Sequence, residues 1–298
     1  MRDPLVWAVV VNWNGREVLE PCLRTLLASS YQNLSVLVVD NASGDGSAQF
    51  VRDGFPSVRL VEQSENLGFA AGVNAGLEFA LNEGADYVLL LNNDIELDGD
   101  AVSALVDAAL THPNSAFVGP LIYYAERPSV IWSAGGAVSF WTGGIRHLGL
   151  REEDIGQYAD VQEVDYVTAC AVLASAEAIR VVGVMDEGYY MYNEDTDWCV
   201  RARDAGFEVL FAPSARIWHK VSMSSGGGLT PFKIYHRLRS TLRFFSLHAR
   251  PYHWIGIVPF TMVRTVGFAA RELARGKGAN VGAVLRGLWD SMTGRRRI

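Results

Sequence analysis

The stretch Leu5-Val6-Trp7-Ala8-Val9-Val10-Val11-Asn12-Trp13-Asn14 decides the fold. Residues 5–11 form a continuous, valine-rich apolar run that breaks off at polar side chains. An unbroken run of strand length suits a strand buried on both faces, as in a parallel sheet. Two later segments repeat the design: residues 34–39 end at Asp40, and residues 87–91 end at Asn92. Residues 58–61 add a shorter strand. Between them lie segments with helical spacing, at 15–29 (Val18, Leu19, Cys22, Leu23 and Leu26 on one face), 46–52, 69–81 and 100–110. The alternation of strand and helix predicts an α/β fold with a doubly wound, mostly parallel sheet. Such a sheet binds its ligands beyond the carboxyl ends of its strands.

The second half reads differently. Residues 120–165 are rich in glycine and aromatics and are expected to form irregular loops with a hairpin. A strand over 165–174, helices over 176–182 and 195–205, and a last short strand over 208–211 follow, with Gly206 closing the second helix. The organisation expected is an α/β body over 1–229 and a helical, basic tail over 230–298.

The net charge of −7 hides a division. Residues 1–215 carry 11 Lys and Arg against 31 Asp and Glu, and residues 216–298 carry 15 against 2. A basic tail on an acidic body suggests an anionic partner near the tail: phospholipid headgroups, a pyrophosphate-linked lipid or nucleic acid. A solvated basic helix pair is the plainer reading. The apolar run at 254–263 is only ten residues long before Arg264, well short of the roughly 20 that span a bilayer. Flanking arginines suit an interfacial amphipathic helix, and a buried helix of a C-terminal subdomain is the alternative. Three widely spaced cysteines, with no CxxC pair, argue against a zinc site or a disulfide framework and fit a reducing, cytoplasmic compartment. The N-terminus runs into a strand with no secretory signal.

The candidate chemistry sits at strand ends. Asn12 and Asn14, Asp40-Asn41, and Asn92-Asn93-Asp94 follow three buried strands. Turn formation explains any one of them, but less readily all three at one sheet edge. Asp94 beside amide oxygens suits Mg²⁺ or Mn²⁺ shared with a phosphate. Asn193-Glu194-Asp195-Thr196-Asp197 places three acids at a helix start, where they favour the helix dipole and where a carboxylate can also act as general base. Asp197 and Arg201 are spaced to pair along that helix. His219, alone after the last strand, is an ordinary residue on its own showing. The chain has no GxGxxG, no GxxxxGK[ST] loop and no GxSxG elbow, which argues against a dinucleotide oxidoreductase, a P-loop enzyme and a hydrolase triad. The tail shows no nucleic-acid module.

The ordered motifs resemble a known family. They are Val9-Val10-Val11-Asn12-Trp13-Asn14, Val38-Val39-Asp40-Asn41-Ala42-Ser43-Gly44-Asp45-Gly46-Ser47, Asn66-Leu67-Gly68-Phe69-Ala70-Ala71-Gly72-Val73-Asn74, Leu90-Leu91-Asn92-Asn93-Asp94, Gly183-Val184-Met185-Asp186-Glu187 and Tyr192-Asn193-Glu194-Asp195-Thr196-Asp197-Trp198. Over about residues 5–225 the chain resembles family 2 glycosyltransferases of the GT-A fold, in the rhamnosyltransferase-like branch. The resemblance implies a nucleotide-sugar-binding, catalytic domain over 1–229. Asn12, Trp13, Asp40, Asn66, Gly68, Asn92 and Asn93 are implied at the nucleotide, and Asp94 and His219 at a divalent metal. Asp195 is implied as catalytic base, with Glu194 and Trp198 supporting it or shaping the acceptor site. Asn92 stands where the family's DxD motif has its first acid, which leaves fewer anionic ligands.

The implied reaction is an inverting single displacement from a nucleotide diphosphate to a glycan or polyprenyl-pyrophosphate-linked acceptor in bacterial cell-envelope synthesis. The branch suggests dTDP-rhamnose as donor, with a UDP-sugar, including UDP-galactofuranose, as the alternative. Together with the basic tail, this resemblance predicts a cytoplasmic protein held peripherally at the inner face of the plasma membrane through the tail, with no nucleic-acid partner. A non-catalytic assembly protein of the same fold is the rival reading, and the presence of both Asp94 and Asp195 weighs against it. A nucleotidyltransferase would need a phosphate loop after the first strand, which is absent.

Overall fold

The computed structural model describes residues 3–220 and 229–293; Met1 and Arg2, and the last five residues of the basic tail, lie outside them. The parallel half of the sheet is built as the apolar runs predict. Strands β1 (Val6–Asn12), β2 (Leu34–Asp40), β3 (Arg59–Glu62) and β4 (Tyr87–Asn92) lie in the order β3-β2-β1-β4 and are all parallel. Alternate residues face opposite sides, so Val6, Ala8 and Val10 enter one core while Trp7 and Val9 enter the other. Helices α1 (Arg16–Leu27), α2 (Ser47–Gly54), α3 (Phe69–Asn82) and α4 (Ala101–Thr111) connect the strands. Helix α3 lies close on the sheet because Gly76 faces β1, where an added Cβ would stand 2.2 Å from Val9 Cγ1.

The second half is more regular than its sequence suggests. Residues 120–165 hold the expected hairpin, and about half of them lie in strands. Strand β5 (Ile95–Leu97) precedes α4, and β6 (Ser115–Tyr124), β7 (Arg127–Ser133) and the hairpin β8 (Gly136–Ser139)–β9 (Gly144–His147) follow it. Glycine and proline within β6, at Gly119-Pro120, disguise a central strand. The strand expected over 165–174 is confined to β11 (Ala171–Ser175), antiparallel to β4 and β6, after a short β10 (Gln162–Glu163). Helices α5 (Ala176–Val182) and α6 (Glu194–Asp204) match expectation closely.

The last strand, β12 (Glu208–His219), is much longer than residues 208–211. It runs parallel to β6 and absorbs Pro213 in an irregularity between Ala212 and Arg216, then pairs antiparallel with β5. The finished sheet has ten strands along β10-β12-β6-β11-β4-β1-β2-β3, with β5 and β7 attached to β12 and β6.

Three helices form the tail: α7 (Pro231–His248), α8 (Trp254–Ala274) and α9 (Gly278–Thr293). The body–tail boundary expected at 229/230 falls at the start of α7, yet α7 is fastened to the body. Phe244 and Phe245 are buried with Tyr189 and Val200. Arg243 pairs with Asp186 at 2.5 Å and His248 with Asp197 at 2.7 Å. No helix among the described residues is long and apolar enough to cross a membrane.

Candidate active site

The polar strand ends converge. Asn12 lies in register with Asp40, and Val11 with Asn92. The Asn12 amide nitrogen donates to Asp40 Oδ1 at 3.0 Å and to Ser43 Oγ at 3.2 Å, and its oxygen accepts from Asn93 Nδ2 at 2.7 Å. Asp40 Oδ2 accepts from the Ser43 backbone at 2.9 Å. Asn12 is fully buried and fixes both Asp40 and Asn93. Trp13, next along, is 46 % exposed at the sheet edge. The turn below is closed by Gly15, where a Cβ would stand 2.0 Å from Asn93 Nδ2.

Asn41 organises the loop before α3. Its nitrogen donates to Asn66 Oδ1 at 2.9 Å and to the Gly68 carbonyl at 3.0 Å, and its oxygen accepts from the Leu67 amide at 3.1 Å. Gly68 adopts a φ of +86°, which favours glycine. Asn66 and Gly68 are thus held next to Asp40 as a shaped loop.

Asp94 and His219 meet because β5 and β12 pair. Ile95 is in register with His219, and the Lys220 amide donates to the Asp94 carbonyl at 3.0 Å. Asp94 Oδ1 and His219 Nε2 form a buried pair 3.1 Å apart, too poorly aligned to satisfy Oδ1 fully. Two ligands at right angles on one small divalent ion, each about 2.1 Å away, stand roughly 3 Å apart. The pair therefore fits a Mg²⁺- or Mn²⁺-like cation. No third His, Cys, Asp or Glu joins it among the described residues, so a substrate's phosphate oxygens would complete the shell. Burial disfavours a charged His219, but the Asp94 carboxylate and the Cys170 thiol beside it prevail and raise its pKa to about 10, so a cation would bind here only as His219 gives up its proton.

Asp195 is half-buried at the start of α6. Its Oδ2 accepts from the Ala169 amide at 3.2 Å, and its Oδ1 from the Thr196 amide at 2.7 Å and hydroxyl at 3.2 Å. The segment holding it also reaches Asn92, whose amide donates to the Cys170 carbonyl at 2.9 Å. One loop therefore ties Asp195 to the strand end that carries Asp94. Burial raises the pKa of Asp195, with its hydrogen bonds opposing in part. Ordinary capping does not account for this placement: the residue preceding α6 is Asn193, whose side chain makes no capping bond. Tyr192 and Asn193 both have positive φ, 71° and 65°, a strained entry for non-glycine residues.

The other acids separate by role. Glu194 is buried with Oε2 unpartnered, and burial and then Asp195 push its pKa up to about 8. Asp197 is structural: it bonds Arg201 at 2.8 Å and His248 at 2.7 Å. Trp198 does not shape an acceptor site. It is 1 % exposed, packs on Phe117 at 4.2 Å between centroids, and donates to the Gly183 carbonyl at 2.7 Å. Its support is packing of α6 onto the sheet.

Several neighbours escaped the sequence reading. Trp132 on β7 packs against His219 at 4.8 Å and His147 at 4.6 Å. His147 Nδ1 is 3.1 Å from Ser133 Oγ, and burial lowers its pKa to about 4, so it stays neutral. These residues lie in the glycine- and aromatic-rich stretch, where no periodicity marks them. The sequence marks Asn41 as a strand-end residue without giving it a role, and Thr168, whose side chain bonds the Cys170 amide at 3.3 Å and the Asp195 carboxylate, carries no signal there. A cavity of about 550 Å³ lies elsewhere, between Arg203, Phe207, His248 and Arg250, at the end of α6 remote from Asp195.

The chain belongs to glycosyl transferase family 2, whose model matches residues 7–178. It is 31 % identical over 237 residues to an N-acetylglucosaminyl-diphospho-decaprenol L-rhamnosyltransferase of Mycobacterium tuberculosis, covering 73 % of this chain and 76 % of the relative. It is 24 % identical over 243 residues to a dTDP-rhamnosyl transferase of Shigella flexneri, covering 79 % and 78 %. Among solved structures, a Pyrobaculum calidifontis mannosyltransferase in complex with GDP-Man and Mn²⁺ shares the fold, with a TM-score of 0.63 at 16 % identity over 99 % of this chain and 89 % of that one. GalNAc-T7 with UDP, GalNAc and Mn²⁺ gives 0.64 at 13 % identity, over 82 % and 48 %.

Proposed function

We propose that the chain transfers a sugar, rhamnose from dTDP-rhamnose, to a lipid-linked glycan acceptor of the cell envelope with inversion, and that Asp195 is the base. The observation that carries this is the placement of Asp195, partly buried and tied through one loop to the strand end bearing Asp94. The similarity to two rhamnosyltransferases, one named for a decaprenol-linked substrate, supports the donor and the acceptor class.

Asp40, fixed by Asn12 and Ser43, and the Asn66–Gly68 loop hold the nucleoside, with Trp13 at the rim. Asn93 and the Asn92 backbone support the edge where the diphosphate sits. Asp94 and His219 hold a divalent cation, Mg²⁺ or Mn²⁺, which when bound neutralises charge on the departing diphosphate. The Asp195 carboxylate takes the proton from the acceptor hydroxyl as that oxygen attacks the anomeric carbon; its raised pKa makes it a stronger base. Glu194 backs the site without reaching it. The enzyme works at the inner membrane face, where the basic tail meets the anionic surface.

Asp195→Asn is expected to keep nucleotide binding and to lose transfer by about a thousandfold or more. Near-normal turnover would remove Asp195 from the role. Calorimetric titration of dTDP-, UDP- and GDP-sugars, with and without Mn²⁺, tests the donor. Tightest metal-dependent binding of a UDP-sugar would replace rhamnose by the UDP-hexose or galactofuranose alternative.

A further inference from the structure

Helix α8 is a 21-residue helix with only Ile257 and Glu272 buried. On its inner face Ile257 packs against Tyr189 and Val200 of the body and Phe244 and Phe245 of α7, and Phe268 packs against Ile234, Ala283 and Val284 of the tail. The opposite stripe is apolar and open: Ile255 is 80 % exposed and Val263 73 %, with Met262, Val266 and Leu273 also exposed. These positions recur at helical spacing on one side. Between Trp254 and Ala270 the helix carries a single charge, Arg264, and Arg271 and Arg275 follow at its end. At the N-terminal end of α8, Trp141 from the tip of the β8–β9 hairpin is 63 % exposed, with its ring 5.9 Å from that of Tyr252. That tip is fixed to α8, because Arg264 donates to the Gly143 carbonyl and the Trp141 carbonyl lies where a Cβ on Gly256 would be.

We infer that the open face of α8, with Trp141 and Tyr252 at its end, lies in the interfacial layer of an anionic bilayer. The inference deepens the membrane part of the function proposed above, and holds whichever sugar is moved. Three features favour this occupant. The apolar stripe is too short in hydrophobic content to span, but is long enough to lie along the surface, as interfacial helices do. Tryptophan and tyrosine are enriched at headgroup level. Arg271 and Arg275, both exposed, flank the C-terminal end of the stripe, and the sequence over 216–298 is basic as a whole, with 15 basic against 2 acidic residues, which attracts acidic lipid.

The test is cosedimentation of the full chain with vesicles of phosphatidylcholine alone and of phosphatidylcholine with phosphatidylglycerol. Wild type is expected to bind the anionic vesicles, and binding should weaken at least tenfold in Met262→Glu/Val266→Glu. Nucleotide binding and transfer to a soluble acceptor should be unchanged in that variant, which shows that it is folded. Undiminished vesicle binding by the variant overturns the assignment of this face while leaving a membrane role elsewhere intact. Equal wild-type binding to neutral vesicles overturns the choice of anionic lipid. No wild-type binding to either overturns the membrane reading itself without touching the transferase. A lipid-free dimer in the ultracentrifuge that the variant dissociates assigns the face to a second copy and overturns the inference.

Discussion

Single side chains decide how tightly the strand ends are locked. Gly15→Ala introduces a methyl into the space of the Asn93 amide, and Gly15 has an ordinary φ of −120°, so the cost is steric. Breaking the buried Asn93–Asn12 bond is expected to cost about 1–3 kcal/mol, measurable by urea denaturation, with weaker nucleotide binding alongside. Glu194 gives a pH signature. The folded chain holds its proton to about pH 8, against 4.5 for the free side chain, so between these values the folded state binds the extra proton. Stability therefore falls as pH rises through that window. Glu194→Gln should raise the melting temperature at pH 8 relative to wild type and leave it nearly unchanged at pH 5; equal shifts at both would refute the buried, protonated state. Asp195 places the acid limb of the transfer rate above the usual aspartate range of about 4, which a pH–rate profile checks. At this scale the sequence was informative where polar residues follow a buried run, as at Asp40 and Asp94. It was silent at Trp132, His147 and Thr168, because a residue brought in by tertiary contact leaves no local pattern.

Among elements, the parallel strands were legible and the central β6 and β12 were not. A continuous apolar run identifies a strand only when nothing interrupts it, and Pro120 and Pro213 interrupt these two. The sheet tolerates them through the irregularity opposite Pro120, which no sequence period records. Helix α7 is the less expected element. Ser240 Oγ donates to the Met191 carbonyl at 2.7 Å, Thr241 Oγ1 accepts from Asn193 Nδ2 at 3.1 Å, and Arg237 sits 5.9 Å from the Tyr192 ring. One face of α7 thus grips the strained pair that leads into Asp195. The Ser240→Ala/Thr241→Ala variant is expected to lower kcat about tenfold, from roughly 0.5–1.5 kcal/mol per lost bond, with little change in the donor KM. A change in KM alone would make the contact irrelevant to the base.

For the whole molecule, the charge division was plain in the sequence, whereas the attachment of the tail was not. Asp186–Arg243 and Asp197–His248 join residues more than fifty positions apart. A chain ending at residue 229 would expose the Tyr189 and Val200 surface that Phe244 and Phe245 cover. Such a chain is expected to aggregate or unfold without a cooperative transition, seen by light scattering and circular dichroism. A soluble, active 1–229 would show that the tail is an appendage.

The pairing of β5 with β12 has a consequence for synthesis of the chain. Asp94 leaves the ribosome 125 residues ahead of His219. At roughly 5–20 residues per second, that is an interval of about 6–25 s. In that time β1, β2 and β4 have all their residues, and Asn12, Asp40 and Asn93 can join. The carboxylate–imidazole pair cannot, because its second half does not yet exist. A half-made chain thus holds the residues of its proposed nucleoside pocket but lacks the second ligand of its proposed cation site, and that pair is complete only once the last strand has been made.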